Sequence, residues 1–122
     1  MNTKNLTACT ILIVEDDPLI REGLVRLLAK LGYSTIAVET VAEALTKLDG
    51  ATYVILDLNL PDGIGTTVLA RIRAEHRPIR VAISSGTTEQ TVLEEARKHQ
   101  PDAMLEKPIK IPALLEWLNY AG

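Results

Sequence analysis

Tyr53-Val54-Ile55-Leu56-Asp57-Leu58-Asn59-Leu60-Pro61-Asp62-Gly63 runs four apolar residues into a carboxylate and then breaks at Pro61 and Gly63. A continuous apolar run rich in β-formers reads as a strand buried on both faces, as in a parallel sheet. Its C-terminal end presents Asp57 at the crest of that sheet, where open α/β sheets carry their ligand sites.

Upstream, Ile11-Leu12-Ile13-Val14 is a second such strand, ending in Glu15-Asp16-Asp17. Asp17-Pro18 reads as an N-cap followed by proline at the first helical position. Ile20, Leu24, Leu27, Leu28 and Leu31 recur at helical spacing over 18–31, and Gly32 stops that helix. Residues 34–38 form a strand with Ile36 and Val38 on one face. Thr40 and Glu43 form a capping-box pattern before a helix that ends at Gly50. Downstream of the Asp57 strand, the pattern predicts a helix over 66–75, a strand at 81–83 ending in Ser84-Ser85-Gly86, and a helix over 88–98. A short strand at 103–105 follows, ending at Glu106-Lys107-Pro108, and then a helix over 111–120. The helix over 88–98 has only Val92, Leu93 and Ala96 as an apolar face, so it is expected to be the most weakly docked. Met1 to Thr10 is polar and aperiodic, and residues 1–9 read as a loose leader.

Strand and helix alternate five times with short connections. That is an α/β chain with a five-stranded parallel sheet, doubly wound as (βα)5. The 122 residues suit a single domain, with 47% apolar and 24% charged residues and a net charge of −3. This balance disfavours direct nucleic-acid binding and disorder. Cys9 stands alone, so no internal disulfide or cysteine metal cluster is expected. No apolar run approaches the roughly 20 residues of a membrane span. A soluble cytoplasmic domain is the expectation.

Parallel strands bring Glu15-Asp16, Asp57, Ser84-Ser85 and Glu106-Lys107 to one edge. Two carboxylates about 4 Å apart at an effective dielectric of about 20 repel by about 4 kcal/mol. Glu15, Asp16 and Asp57 contribute −3 and Lys107 +1, leaving −2 for a divalent cation to neutralise. Hard oxygen donors suit Mg²⁺, or Mn²⁺. The same set suits phosphoryl chemistry at a carboxylate. Asp57 would be the nucleophile, Lys107 would hold one phosphoryl oxygen and the Ser85 hydroxyl would donate to another.

Four segments, Ile-Val-Glu-Asp-Asp (13–17), Leu-Asp-Leu-Asn-Leu-Pro-Asp-Gly (56–63), Ser-Ser-Gly (84–86) and Glu-Lys-Pro (106–108), together resemble the receiver domains of two-component response regulators, the family of the bacterial chemotaxis receiver. The resemblance implies a flavodoxin-like strand order 2-1-3-4-5 and a phosphorylation-controlled signalling switch. It implies that Asp57 takes the phosphoryl group from a histidine kinase or histidine phosphotransfer protein. Glu15 and Asp16 would be the acidic pair, with Asp16 a direct metal ligand and the backbone carbonyl of Asn59 completing the site. Ser85 would be the switch hydroxyl, Lys107 the phosphate-sensing lysine, and the Lys107–Pro108 bond cis. Such a domain catalyses its own phosphorylation and slow dephosphorylation without being a dedicated enzyme. It signals by protein contacts on the face of the fourth helix, fifth strand and last helix, as a monomer or weak homodimer.

Two positions depart from the family pattern. Met104 stands where members often carry Tyr or Phe, three residues before the lysine, and Ile109 stands where Phe is frequent. Methionine cannot swing as a rigid ring, so repacking is expected in its place. An alternative is a receiver cut from a larger regulator or hybrid histidine kinase. Another is a metal-dependent phosphohydrolase with an aspartyl nucleophile, but Asn59 replaces the acid such enzymes place two residues after the nucleophile. A flavin or nucleotide module would need a Gly-, Ser- or Thr-rich loop after the first strand, where Glu-Asp-Asp stands. The full chemical set argues against a receiver that only binds partners. His76 and His99 read as solvated helix-end residues. Trp117 lies beside the apolar stripe of the last helix, as a partly exposed contact or an edge-of-core residue.

Overall fold

The computed structural model describes residues 9–121, so the expected leader, apart from Cys9, lies outside the described residues. Five strands form one sheet: β1 (Thr10–Val14), β2 (Ser34–Val38), β3 (Tyr53–Asp57), β4 (Arg80–Ser85) and β5 (Ala103–Glu106). All neighbours are parallel, in the order β2-β1-β3-β4-β5, which is the expected 2-1-3-4-5. Thr10, polar like the expected leader before it, is the first residue of β1 and pairs with Ser34.

The helices are α1 (Pro18–Lys30), α2 (Val41–Leu45), α3 (Thr66–Ala74), α4 (Gln90–Arg97) and α5 (Ile111–Ala121). Alternate residues of each central strand enter opposite layers, as the period of two requires. Leu12, Val14, Val54, Leu56, Val81 and Ile83 pack with the apolar faces of α2, α3 and α4. Ile11, Ile13, Tyr53, Ile55, Ala82 and Leu105 pack with α1 and α5. Both faces of β1, β3 and β4 are therefore dry, which is why their sequences read as unbroken apolar runs.

Several expected boundaries move. The helix expected to run to Gly50 is only α2, Val41–Leu45. The Thr46 hydroxyl donates to the Glu43 carbonyl at 2.7 Å, and the backbone N–H groups of Thr46 and Lys47 reach only three residues back, so the helix tightens into turns. Leu48 stays buried nonetheless. Only Val38 of β2 is buried, clustering with Val41 and Ala44, while Ile36 on the same face of this edge strand is 39% exposed. Leu31 falls at the C-cap of α1 and is exposed rather than inward, and Ile111 in the first turn of α5 is also exposed. β4 extends through Ser84 and Ser85, because these residues pair with Asp57 and Glu106. Trp117 is only 6% exposed. Its ring meets Tyr53 edge to face at 5.5 Å, so it belongs to the α1–α5 layer and is not a surface contact.

α4 is held as loosely as its sequence suggests. Only Ala96 is fully buried, Val92 and Leu93 are half-buried, and Glu89 at the N-cap makes no side-chain capping bond. By contrast Thr40 caps α2 as expected, although the return bond of the capping box goes to Glu39 and not to the Thr40 N–H. The Thr40 hydroxyl accepts from the Glu43 N–H at 3.0 Å, and Glu43 accepts from the Glu39 N–H at 3.1 Å.

Candidate functional site

The C-terminal ends of β1, β3, β4 and β5 converge on Asp57, the last residue of β3 and 6% exposed. Its Oδ2 receives the Lys107 ammonium at 3.1 Å, and its Oδ1 accepts the backbone N–H of Asn59 at 3.2 Å. Glu15, 3% exposed, follows β1. Its Oε1 receives the same ammonium at 2.9 Å, and its Oε2 accepts the backbone N–H of Asp17 at 3.1 Å. Each buried carboxylate thus has one cation contact and one amide, the pairing that makes burial of charge tolerable.

Asp16 remains exposed at the rim. Asp17 caps α1, its Oδ1 accepting from Leu19 at 2.9 Å and Ile20 at 3.3 Å, as read from Asp-Pro. Carboxylate oxygens of Glu15, Asp16 and Asp57 all lie within 4.8 Å of one another. Three carboxylates and one ammonium leave a formal charge of −2, and every donor is a hard oxygen, so the residues present fit a small divalent cation such as Mg²⁺ or Mn²⁺.

The electrostatics follow from the crowding. Burial, and then the charge of Glu15, push the Asp57 carboxyl up to about 6, against the pull of Lys107 and the Asn59 amide. For Lys107, burial works against the charged form. The hydrogen bond to Glu15 and the field of Asp57 outweigh it, so the ammonium is held above its ordinary range.

Ser85 ends β4 and is buried. Its Oγ accepts from the Thr87 N–H at 3.1 Å, and its carbonyl accepts from the Lys107 N–H at 2.9 Å, tying the loop before α4 to the loop before α5. Asn59 is exposed and reaches Asp57 through its backbone N–H. It pairs with Ile64 in a small antiparallel hairpin, Asn59–Leu60 with Gly63–Ile64, which the sequence reading takes as a broken loop. The Lys107–Pro108 peptide is cis. Glu15, Asp16, Asp57 and Lys107 are therefore brought into one cluster, with Ser85 and Asn59 at its edges.

Three supporting residues escape a reading of the sequence. Arg21 reaches back from α1 and donates through Nη1 to the carbonyls of Glu15 at 3.0 Å and Asp16 at 3.3 Å, fixing the acidic loop. Asp62 accepts from the N–H groups of Val41 at 2.7 Å and Ala42 at 3.0 Å, which holds its carboxyl below the usual range and ties the loop after β3 to α2. Gly65 donates its N–H to Leu58 at 2.7 Å, and any Cβ there would drive into the Asp57 carbonyl. The only local signal was a second glycine two residues after Gly63.

The sequence pattern of the response regulator receiver domain matches residues 11–119. The chain is 34% identical over 113 residues to the response regulator protein FleR of Pseudomonas aeruginosa, covering 89% of this chain and 24% of that protein. It thus spans about a quarter of the length of that relative. Two solved structures are similar in shape. One is a DNA-binding response regulator of the LuxR family from Staphylococcus aureus, at a TM-score of 0.84 and 28% identity, covering 93% of this chain and 98% of that one. The other is a CheY-like receiver domain protein from Methanospirillum hungatei, at a TM-score of 0.83 and 27% identity, covering 92% and 91%.

Proposed function

Because the chain belongs to the response regulator receiver domain family, we propose that Asp57 accepts a phosphoryl group from a phosphohistidine on a kinase or phosphotransfer protein of a two-component system. The observation that carries this reading is the buried Asp57 carboxylate, held at once by Lys107 and by the amide of Asn59 beside two further acids. A carboxylate oxygen of Asp57 attacks phosphorus, the phosphorus–nitrogen bond to the imidazole breaks, and its electron pair stays on the ring nitrogen. The product is an acyl phosphate, which water later hydrolyses.

Glu15, Asp16, Asp57 and the Asn59 carbonyl would hold Mg²⁺, which supplies shielding between the incoming phosphoryl oxygens and the carboxylates. Lys107 then holds a phosphoryl oxygen, and the Ser85 hydroxyl turns from Thr87 to donate to another. The test of the metal site is direct. Asp16→Ala is expected to weaken Mg²⁺ binding by an order of magnitude or more, read by titration calorimetry, and to slow labelling by a small phosphodonor in proportion. Unchanged Mg²⁺ affinity would place the metal elsewhere. The reading places the domain in the cytoplasm with its phosphodonor, and its output in contacts with another protein.

The output face supported best is that of α4, β5 and α5. Ser85 and Lys107 are joined backbone to backbone and lead into α4 and α5. A cavity of about 280 Å³ lies beside them, lined by Ser85, Thr87, Leu93, Arg97 and Met104. Moving Ser85 empties or fills that space, and flexible Met104 with half-buried Leu93 can repack into it. Beryllofluoride with Mg²⁺, standing in for the phosphoryl group, is expected to change hydrogen exchange in residues 85–107 more than in α1. Change confined to α1 would reassign the output to that helix.

A further inference from the structure

Ser84 is 2% exposed, and its hydroxyl has no hydrogen-bond partner. A buried hydroxyl without a partner costs free energy that an alanine would not, so its presence calls for a physical reason. The register supplies one. Asp57 pairs with Ser84, and Ser84 with Leu105. Register partners project to the same face of a sheet. Ile55, Ala82 and Leu105 all lie in the layer under α1 and α5, so Asp57 and Ser84, each two residues further on, fall on that face as well.

Lys107 lies two residues beyond Leu105, past the end of β5, and its ammonium reaches Asp57 beyond β3 and Glu15 beyond β1. Because β4 lies between β5 and β3 in the sheet, the side chain spans the end of β4, where Ser84 is the register partner of Asp57. An ammonium has three N–H donors. Two are engaged by Glu15 Oε1 and Asp57 Oδ2, which leaves one for a further acceptor.

We propose that Ser84 is a positioning residue for Lys107: with Asp57 occupied, its hydroxyl accepts an N–H of the ammonium and holds it over the phosphoryl oxygen. Resting on the phosphoacceptor reading, this deepens it. Once one Asp57 oxygen carries phosphorus, the carboxylate loses its full charge and its hold on Lys107. The ammonium then shifts to a phosphoryl oxygen, an N–H is left for a second acceptor that fixes its direction, and Ser84 is a buried hydroxyl in register with Asp57 whose capacity is unused. A merely small residue would clear the path of the lysine equally well, so the hydroxyl and the size can be told apart.

Ser84→Ala keeps the size and removes the acceptor. The affinity for beryllofluoride in Mg²⁺ is measured by calorimetry for the parent, Ser84→Ala, Lys107→Ala and the double variant, along with metal-free melting temperatures. Ser84→Ala is expected to weaken beryllofluoride binding about three- to tenfold, to add nothing in the Lys107→Ala background, and to melt no lower than the parent. Parent-like affinity, an equal loss in both backgrounds, or a lower metal-free melting temperature would each overturn the assignment. Asp57→Asn serves as the separate control. If it binds beryllofluoride as the parent does, the phosphoacceptor reading itself fails, whatever Ser84 shows.

Discussion

Asp57→Asn is expected to abolish covalent phosphate uptake from a small phosphodonor in Mg²⁺, seen in the intact mass as loss of the one-phosphoryl increment. Asparagine keeps the shape and the Asn59 amide nearby but has no nucleophilic carboxylate oxygen. The same substitution is expected to stabilise the metal-free protein at neutral pH. The Asp57 carboxyl is raised from 3.8 to about 6 by burial and by Glu15. A folded value raised in this way gives stability that is fully present below the unfolded value and is lost as pH rises through about 6. At pH 7.5 the ionised group therefore costs the fold up to about 3 kcal/mol. Lys107 loses a partner in the variant, so the net gain expected is about 1–2 kcal/mol. The gain should shrink as pH falls toward 4, where the parent carboxyl is already protonated. Undiminished labelling of Asp57→Asn would remove Asp57 as acceptor, and a stability increment independent of pH would remove the electrostatic cause.

Lys107→Met is the complementary case. It strips the Lys107 ammonium from two carboxylates that are nearly fully buried. Breaking such a cluster by removing one partner is expected to cost the metal-free protein about 2–4 kcal/mol at pH 7.5, read as a lower melting temperature in chelator. Asp57 should then hold its proton to a higher pH than in the parent, so the loss is relieved on acidification. Saturating Mg²⁺ should restore part of it, since a divalent ion replaces the missing charge. A melting temperature equal to the parent at pH 7.5 would show that the ammonium contributes nothing at the site. Equal losses at pH 5 and 7.5 would mean that lost packing of the lysine stem, and not charge, is responsible.

What the sequence makes legible here is what depends on short-range pattern. Ile11–Val14 and Tyr53–Leu56 are buried on both faces, so their runs of apolar residues announce a parallel sheet, and the parallel sheet brings the acidic and basic strand ends together. The Thr40 and Asp17 caps are local and form as written. Long-range support is another matter. Asp62 caps α2 from 20 residues and more away, and no period connects them. Arg21 reads as one surface arginine among several until the backbone of Glu15 and Asp16 is seen within its reach. Trp117 falls just off the ideal helical stripe, and only the presence of Tyr53 across the layer makes it part of the core. Ser84 reads as a turn residue at a strand end, and its unpartnered hydroxyl is visible only once the strand register is known.

The most direct measurement is chemical mapping of the label on the unaltered chain. The protein is incubated with a small phosphodonor, with and without Mg²⁺, the acyl phosphate is trapped by hydride reduction, and the modified peptide is sequenced by mass spectrometry. Reduction is expected at Asp57 alone, and only when Mg²⁺ is present. Label on Glu15, Asp16 or a residue outside this cluster, or equal label on Asp57 in the presence of chelator, would contradict a metal-assisted phosphoacceptor at the end of β3.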